Sequence, residues 1–270
     1  MAERSARNDW RVAGGERLAM LQVQKLSKSF GGVKAAENIT FDFADGSLTA
    51  VIGPNGAGKS TFFNLITGAL TPDSGRILLN GLDLVGRSPP DIVRYGIGRA
   101  FQVASIFRSL TVHETMLAAV GADQRRASIL HRRFPLAETR DRAEYAMEIL
   151  GLASKHHRTA ATLSHGDQKL LDIALALVLD PQVLLLDEPT AGMGTEERWR
   201  MIDKVHELWE RQKITVVFIE HDMDIVFKIA PSIVVLCYGR ILATGAPDAI
   251  RQNPAVIDAY LGTEHHAGTR

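Results

Sequence analysis

The segments Leu21-Gln22-Val23-Gln24 and Ile39-Thr40-Phe41-Asp42-Phe43 alternate apolar with polar residues, a period of two that predicts half-exposed strands. Ala44-Asp45-Gly46-Ser47 reads as a turn before the apolar strand Leu48–Ile52. That strand runs into GPNGAGKST, and FFNLITGAL continues as a helix ending near Gly68. Pro72-Asp73-Ser74-Gly75 predicts a further turn ahead of the strand Arg76–Leu79. From Ser105 to Ala160 strand signals fade, and ETRDRAEYAMEILGL carries apolar residues at helical spacing with Gly151 as its C-cap. This stretch reads as a helical insert. Strand-helix alternation then resumes. Val183–Leu186 is apolar on both faces, as a central parallel strand should be. Thr195-Glu196-Glu197 is expected to cap a helix bearing Trp199, Ile202, Val205 and Trp209, and Ile214–Ile219 and Ile233–Cys237 read as two more buried strands.

Composition adds mainly exclusions. Of the 270 residues, 46 % are apolar and 23 % charged, which suits a globular domain with a full core. Lys plus Arg and Asp plus Glu both number 31, so no net field draws the chain to nucleic acid or an anionic surface. Cys237 stands alone, so no disulfide can form within the chain, and its apolar context predicts a buried strand residue. The opening MAERSARNDWRVAGGERLAM lacks the apolar stretch of a secretory signal. The longest apolar region, Leu170–Leu186, is broken by Asp172, Asp180 and Pro181, well short of the roughly 20 residues a membrane helix needs.

Gly53-Pro54-Asn55-Gly56-Ala57-Gly58-Lys59-Ser60 matches G-x-x-x-x-G-K-[ST] between a strand and a helix. Gly56 and Gly58 let the backbone curl so that its N–H groups converge on phosphate oxygens, and the following helix adds its positive end. Lys59 neutralises β- and γ-phosphates, and the Ser60 hydroxyl can ligate Mg²⁺. A second element is needed to hold the metal and position water. Asp187 and Glu188 directly follow the buried strand Val183–Leu186, where open α/β sheets place their ligand crevice. One carboxylate can hold the metal's water shell while its neighbour orients or deprotonates the attacking water. His221 also falls at a strand end, after Ile214–Ile219.

From Met20 to Gly262 the chain resembles the nucleotide-binding subunit of an ABC transporter. More narrowly it is similar to the ATPases of bacterial branched-chain amino-acid uptake systems and their urea and amide relatives. The motifs GPNGAGKST, the Gln of RAFQ, LSHGDQ, VLLLDEP and the His of FIEHDM run in the family's order, and the tail NPAVIDAYLG points the same way. The resemblance implies an α/β fold: a RecA-like P-loop NTPase core with an antiparallel β subdomain and an inserted helical subdomain at approximately 104–180. Residues 20–262 would form the ATPase domain, flanked by a flexible N-terminal extension (1–19) and a flexible tail (263–270).

By the same resemblance, ATP and Mg²⁺ are the cofactors. Phe30 stacks on adenine, and Asn55, Gly56, Ala57, Gly58, Lys59, Ser60 and Thr61 hold the phosphates. Ser60, Gln102 and Asp187 serve Mg²⁺, Asp187 through water, and Gln102 also links the metal site to the membrane partner. Glu188 is the catalytic base, and His221 contacts the γ-phosphate. Ser164 and Gly166 reach the ATP of a second ABC ATPase subunit. Ser164 also fits a plain capping box with Asp167, and a glycine at Gly166 implies close approach of some group. Expected partners are that second subunit, two permease subunits and, indirectly, a periplasmic solute-binding protein. No nucleic acid is expected, and the place is the inner face of the cytoplasmic membrane.

Two departures stand out. His165 and Asp167 replace a glycine and a glutamine of the widespread LSGGQ, and Gly194 stands where many family members carry an aspartate that contacts the partner. A urea or amide importer and a lipid or lipopolysaccharide exporter, whose ATPases share phrases such as ASIFR, remain alternatives at this stage. The pairs His156-His157 and His265-His266 are expected to point apart as solvated surface, not as metal ligands. The basic run Arg125-Arg126 to Arg133 is followed at once by acidic residues, so it reads as a solvated face.

Overall fold

The computed structural model describes residues 19–100, 108–123 and 137–266. The alternating N-terminal segments form β1 (Ala19–Phe30) and β2 (Val33–Ala44), an antiparallel hairpin extended by β4 (Ser74–Leu79) and β5 (Leu82–Asp83) in the order β2-β1-β4-β5. The second sheet has the order β10-β9-β3-β8-β7-β6. It uses β3 (Leu48–Ile52), β6 (Ile97–Ala100), β7 (Val183–Asp187), β8 (Thr215–Ile219), β9 (Ser232–Cys237) and β10 (Arg240–Gly245). All its pairings are parallel except β9 with β10.

Because successive strand side chains face opposite ways, the parallel strands feed two cores. Leu184, Leu186, Val216 and Phe218 join one core with the helices, whereas Val183, Leu185, Val217 and Ile219 join the other with the small sheet. The small sheet contributes Leu21, Val23, Ile39 and Phe43 to that second core, together with Phe62 and Phe63 of α1 (Lys59–Ile66). α2 (Pro89–Tyr95), capped by Ser88, leads into β6. A helical layer of α3 (Val112–Asp123), α4 (Ala137–Ile149) and α5 (His165–Leu177) lies between β6 and β7 in the chain. α6 (Thr195–Gln212) and α7 (Met223–Ile229) connect β7 to β9 through β8, and α8 (Pro247–Arg251) and α9 (Pro254–His266) close the chain.

The structure adjusts four expectations. Helix α9 continues past Gly262 to His266, into the segment read as tail. Cys237 is half-exposed, because it is the last residue of β9 and not an interior one. The N-cap of α6 is Gly194, with Thr195 already helical and no side-chain cap. His156 and His157 do not point apart: their rings sit 3.6 Å between centroids, because they follow a tight 3₁₀ turn (Ala153–Lys155) instead of a regular helix or strand. Among the described residues no helix is long and apolar enough to cross a membrane, and no group of His, Cys, Asp and Glu could hold a metal unaided. Arg125 to Arg133 lies outside the described residues.

Candidate functional site

The glycine loop connects β3 to α1 and forms one wall of a cleft of about 230 Å³, lined by residues 55–61, Val33, Ala35, Glu188 and His221. The loop's conformation is enforced from below. A side chain at Gly53 would meet Leu236 O at 2.1 Å, and one at Gly58 would meet Ala35 O at the same distance. Only glycine can stand that close to another backbone. Lys59 is buried and donates to the carbonyls of Gly53 (2.7 Å) and Pro54 (3.1 Å). Burial pulls its ammonium below the usual lysine range, and the charges of Glu188 and Asp187 oppose that pull. A triphosphate placed here would meet a partly desolvated cation whose present partners are neutral carbonyls.

The second wall comes from the ends of β7 and β8. Glu188 has φ +49, a strained left-handed conformation for a residue with a side chain. Its backbone is held from both sides: its N–H donates to Ile219 O (3.1 Å), and its carbonyl accepts from Lys169 Nζ (2.9 Å). Its Oε1 lies 2.9 Å from His221 Nε2, so the imidazole donates to the carboxylate. Buried Glu220 completes the clamp, accepting from Thr190 N (3.0 Å), Thr190 Oγ1 (2.6 Å) and His221 N (3.1 Å). Glu188 and His221 are thereby tied to two adjacent strand ends.

Asp187 is buried at the end of β7, with Arg99 NH2 2.6 Å from its Oδ2. Arg99 also donates to Asn64 Oδ1 at 2.7 Å. Oδ1 of Asp187 is left as the oxygen suited to a metal-bound water, and Ser60 opens α1 beside Lys59. This donor set fits a cation that draws most of its ligands from phosphates and water, as Mg²⁺ does. Phe30 is 46 % exposed at the tip of the β1–β2 hairpin, opposite Val33 of the cleft wall, so its ring is surface and not core, with Lys28 Nζ 5.7 Å from its centroid. Gln102 lies outside the described residues.

Ser164 and Gly166 are absent from this cleft. Ser164 caps α5 by accepting from Asp167 N at 3.1 Å, the first half of the expected capping box. The carboxylate of Asp167 turns instead to Lys155 and Arg200. Burial alone would raise the Asp167 carboxyl, but hydrogen bonds from Lys155 and Ser164 and the nearby positive charges outweigh it and hold the group below the usual range. The close approach that Gly166 permits is made by Glu197 of the same chain, at 3.0 Å.

Residues 36–191 match the ABC transporter family, and residues 240–266 match the branched-chain amino acid ATP-binding cassette transporter family. The chain belongs to the ABC transporter family. It is similar to the high-affinity branched-chain amino acid transport ATP-binding protein LivG of Escherichia coli (strain K12), with 39 % identity over 249 residues, 90 % of this chain and 98 % of that one. BraF of Pseudomonas aeruginosa, described in the same words, is 37 % identical over 253 residues, 90 % and 98 % of the two chains. Among solved structures, an ATP-binding cassette of an ABC transporter in its ADP conformation superposes with a TM-score of 0.80 at 31 % identity, covering 91 % of this chain and 99 % of that one. A nucleotide-free cassette gives 0.78 at 30 % identity, with 90 % and 99 % covered. This ABC ATPase therefore binds nucleotide and hydrolyses ATP in service of transport.

Motif reading missed several residues that shape the site. Arg99 and Glu220 lie inside RAFQ and FIEHDM, but there only the Gln and the His carry assigned roles; Lys169 and Glu197 fall outside every motif, and the main partners of all four are distant in the chain. Tyr260 belongs with them, because its hydroxyl bonds to the backbone of Gly53 from α9, and burial pushes its phenol up to about 12. It ties the C-terminal segment to the phosphate loop.

Proposed function

We propose that this chain is the energising subunit of an import system for branched-chain or other hydrophobic amino acids. The observation that carries the catalytic part is the Glu188–His221 contact of 2.9 Å on the wall facing the Lys59 loop, in one cleft. Glu188 takes a proton from the attacking water or orients it, and His221 holds that carboxylate and faces the γ-phosphate. The glycine-loop amides and Lys59 bind the phosphates, and Phe30 receives the adenine. Ser60, Asp187 through water, and Gln102 would hold Mg²⁺, whose charge offsets that of the phosphates. The C-terminal match at 240–266 and the amino-acid transport relatives support the choice of cargo.

Because Ser164 and Gly166 do not line the chain's own cleft, a second ATPase subunit set head to tail completes each site. Two permease subunits, engaged through the helical layer, place the chain on the inner face of the cytoplasmic membrane, with a periplasmic solute-binding protein acting beyond them. The test uses Glu188→Gln, which keeps the binding groups and removes the base. With ATP and Mg²⁺ this variant should associate with itself or with the transporter's other ATPase subunit, while hydrolysis falls by roughly 10²–10⁴-fold. ATP binding without association by sedimentation velocity would sink the two-subunit site.

A further inference from the structure

In the isolated chain, the tip of α5 that the proposed function offers to a second subunit's γ-phosphate is already occupied. Glu197, in the first turn of α6, brings Oε1 to 3.0 Å from the Gly166 nitrogen and accepts its N–H. The approach is as close as a glycine allows: a methyl on Gly166 would stand 2.3 Å from Glu197 Oε1 and 2.8 Å from its Cδ. The neighbouring groups of the tip are committed elsewhere. Ser164 Oγ accepts from Asp167 N, Gln168 Nε2 donates to Leu163 O at 3.1 Å, and the Asp167 carboxylate is held by Lys155 and Arg200. Among the described residues no ion pair involves Glu197; its carboxylate meets the Gly166 amide at the start of α5 and lies in the first turn of α6, where helix N-termini favour negative charge.

We propose that Glu197 is a built-in stand-in for the γ-phosphate, a specificity-determining residue that keeps the α5 tip closed to a second subunit until a nucleoside triphosphate displaces it. The inference rests on the two-subunit reading above. A carboxylate and a phosphate cannot share one amide, because their oxygens would overlap and their charges repel. The terminal phosphate carries more negative charge and a third oxygen, so it can win the exchange. A diphosphate lacks that group and leaves Glu197 in place. Association thus becomes conditional on the γ-phosphate itself and not on nucleotide in general.

The test compares Glu188→Gln with Glu188→Gln/Glu197→Ala and Glu188→Gln/Glu197→Asp, each as the full chain with Mg²⁺ and, where needed, the transporter's second ATPase subunit. ATP and ADP are titrated and association is followed by sedimentation. Releasing a hydrogen bond to a charged acceptor corresponds to roughly ten- to a hundred-fold in an equilibrium. Both Glu197 variants should lower the ATP concentration at half-association by about that factor, the aspartate because it keeps the charge but is one methylene too short to reach Gly166. The Glu197→Ala chain should also associate with ADP, which the parent does not. As a check independent of association, the Gly166 amide of the nucleotide-free Glu197→Ala chain should exchange with solvent faster than in the parent. An unchanged or raised ATP midpoint, with the parent associating normally, overturns the inference. If the parent binds ATP and never associates, it is the two-subunit reading that fails, and this inference falls with it.

Discussion

Replacing Gly58 with alanine puts a methyl group where the fold holds a backbone carbonyl. The new Cβ would stand 2.1 Å from Ala35 O and 3.3 Å from its carbonyl carbon, with Gly239 Cα at 3.6 Å. An ordinary carbon–oxygen contact is about 3.3 Å, so the loop and β2 must part by about 1 Å. Neither side yields easily. Ala35 lies inside paired β2, while Glu37 N donates to Gly239 O and Gly239 N donates to Ala57 O, which cross-ties the three backbones. Gly58 also has φ +100, where a side chain costs about 1–2 kcal/mol. Overpacking adds about 1–3 kcal/mol, for a total of about 2–5 kcal/mol. Gly56, at φ +78 with nothing within 4 Å of a Cβ, should cost only the conformational part. Urea unfolding of both variants gives the stability difference, and binding of a fluorescent ATP analogue gives affinity. Gly58→Ala should lose about 2–5 kcal/mol and bind ATP at least tenfold more weakly, because a shift of about 1 Å takes the loop amides off the phosphates. If it is no less stable than Gly56→Ala and binds ATP normally, the Ala35 carbonyl is not what demands glycine.

Two further outcomes are expected. His221→Ala removes the 2.9 Å partner of Glu188 Oε1, so turnover of the assembled transporter should fall roughly 10²–10³-fold while ATP affinity changes only a few-fold; unchanged kcat would refute the role. Glu37 is held by hydrogen bonds from Arg240 and then Lys34, which lower its carboxyl from 4.5 to about 2. Its folded value lies below its unfolded one, so its stabilisation is whole above about pH 4.5 and drains as pH falls towards 2. Glu37→Gln should therefore flatten the acid limb of Tm against pH across that window, and parallel limbs for the two proteins would contradict it.

Much of the cleft is legible in the chain because its parts are local. A glycine loop between a strand and a helix, and a carboxylate pair at the end of a buried strand, are set by a few adjacent residues. Their side of the sheet follows from the strand direction alone. The two-core arrangement is likewise written in Val183–Leu186 and Ile214–Ile219, because a strand buried on both faces is apolar at nearly every position; the one polar residue, Thr215, hydrogen-bonds to the Ala44 carbonyl. Less local features are not legible in this way. Helix α2 is short, though Ser88 before two prolines is a cap signal, and β10 alternates too weakly to stand apart from its neighbours. The apolar run does not reveal that Cys237 is half-exposed, because burial at a strand's last residue depends on what the strand abuts.

By itself, then, the sequence determined the glycine loop between a strand and a helix, the carboxylate pair at the end of a buried strand, and that the domain alternates strands and helices around them. Only the tertiary structure decided that Arg99 holds Asp187, that Lys169 of α5 grips the Glu188 backbone, and that Glu220 ties Thr190 to His221. It alone placed Glu197 on Gly166, 31 residues away in the chain. The reason is physical. Motifs report contacts to a ligand whose geometry is the same in every protein that binds it, whereas these contacts join side chains brought together only when two helices and a sheet pack, and no local pattern specifies their partners.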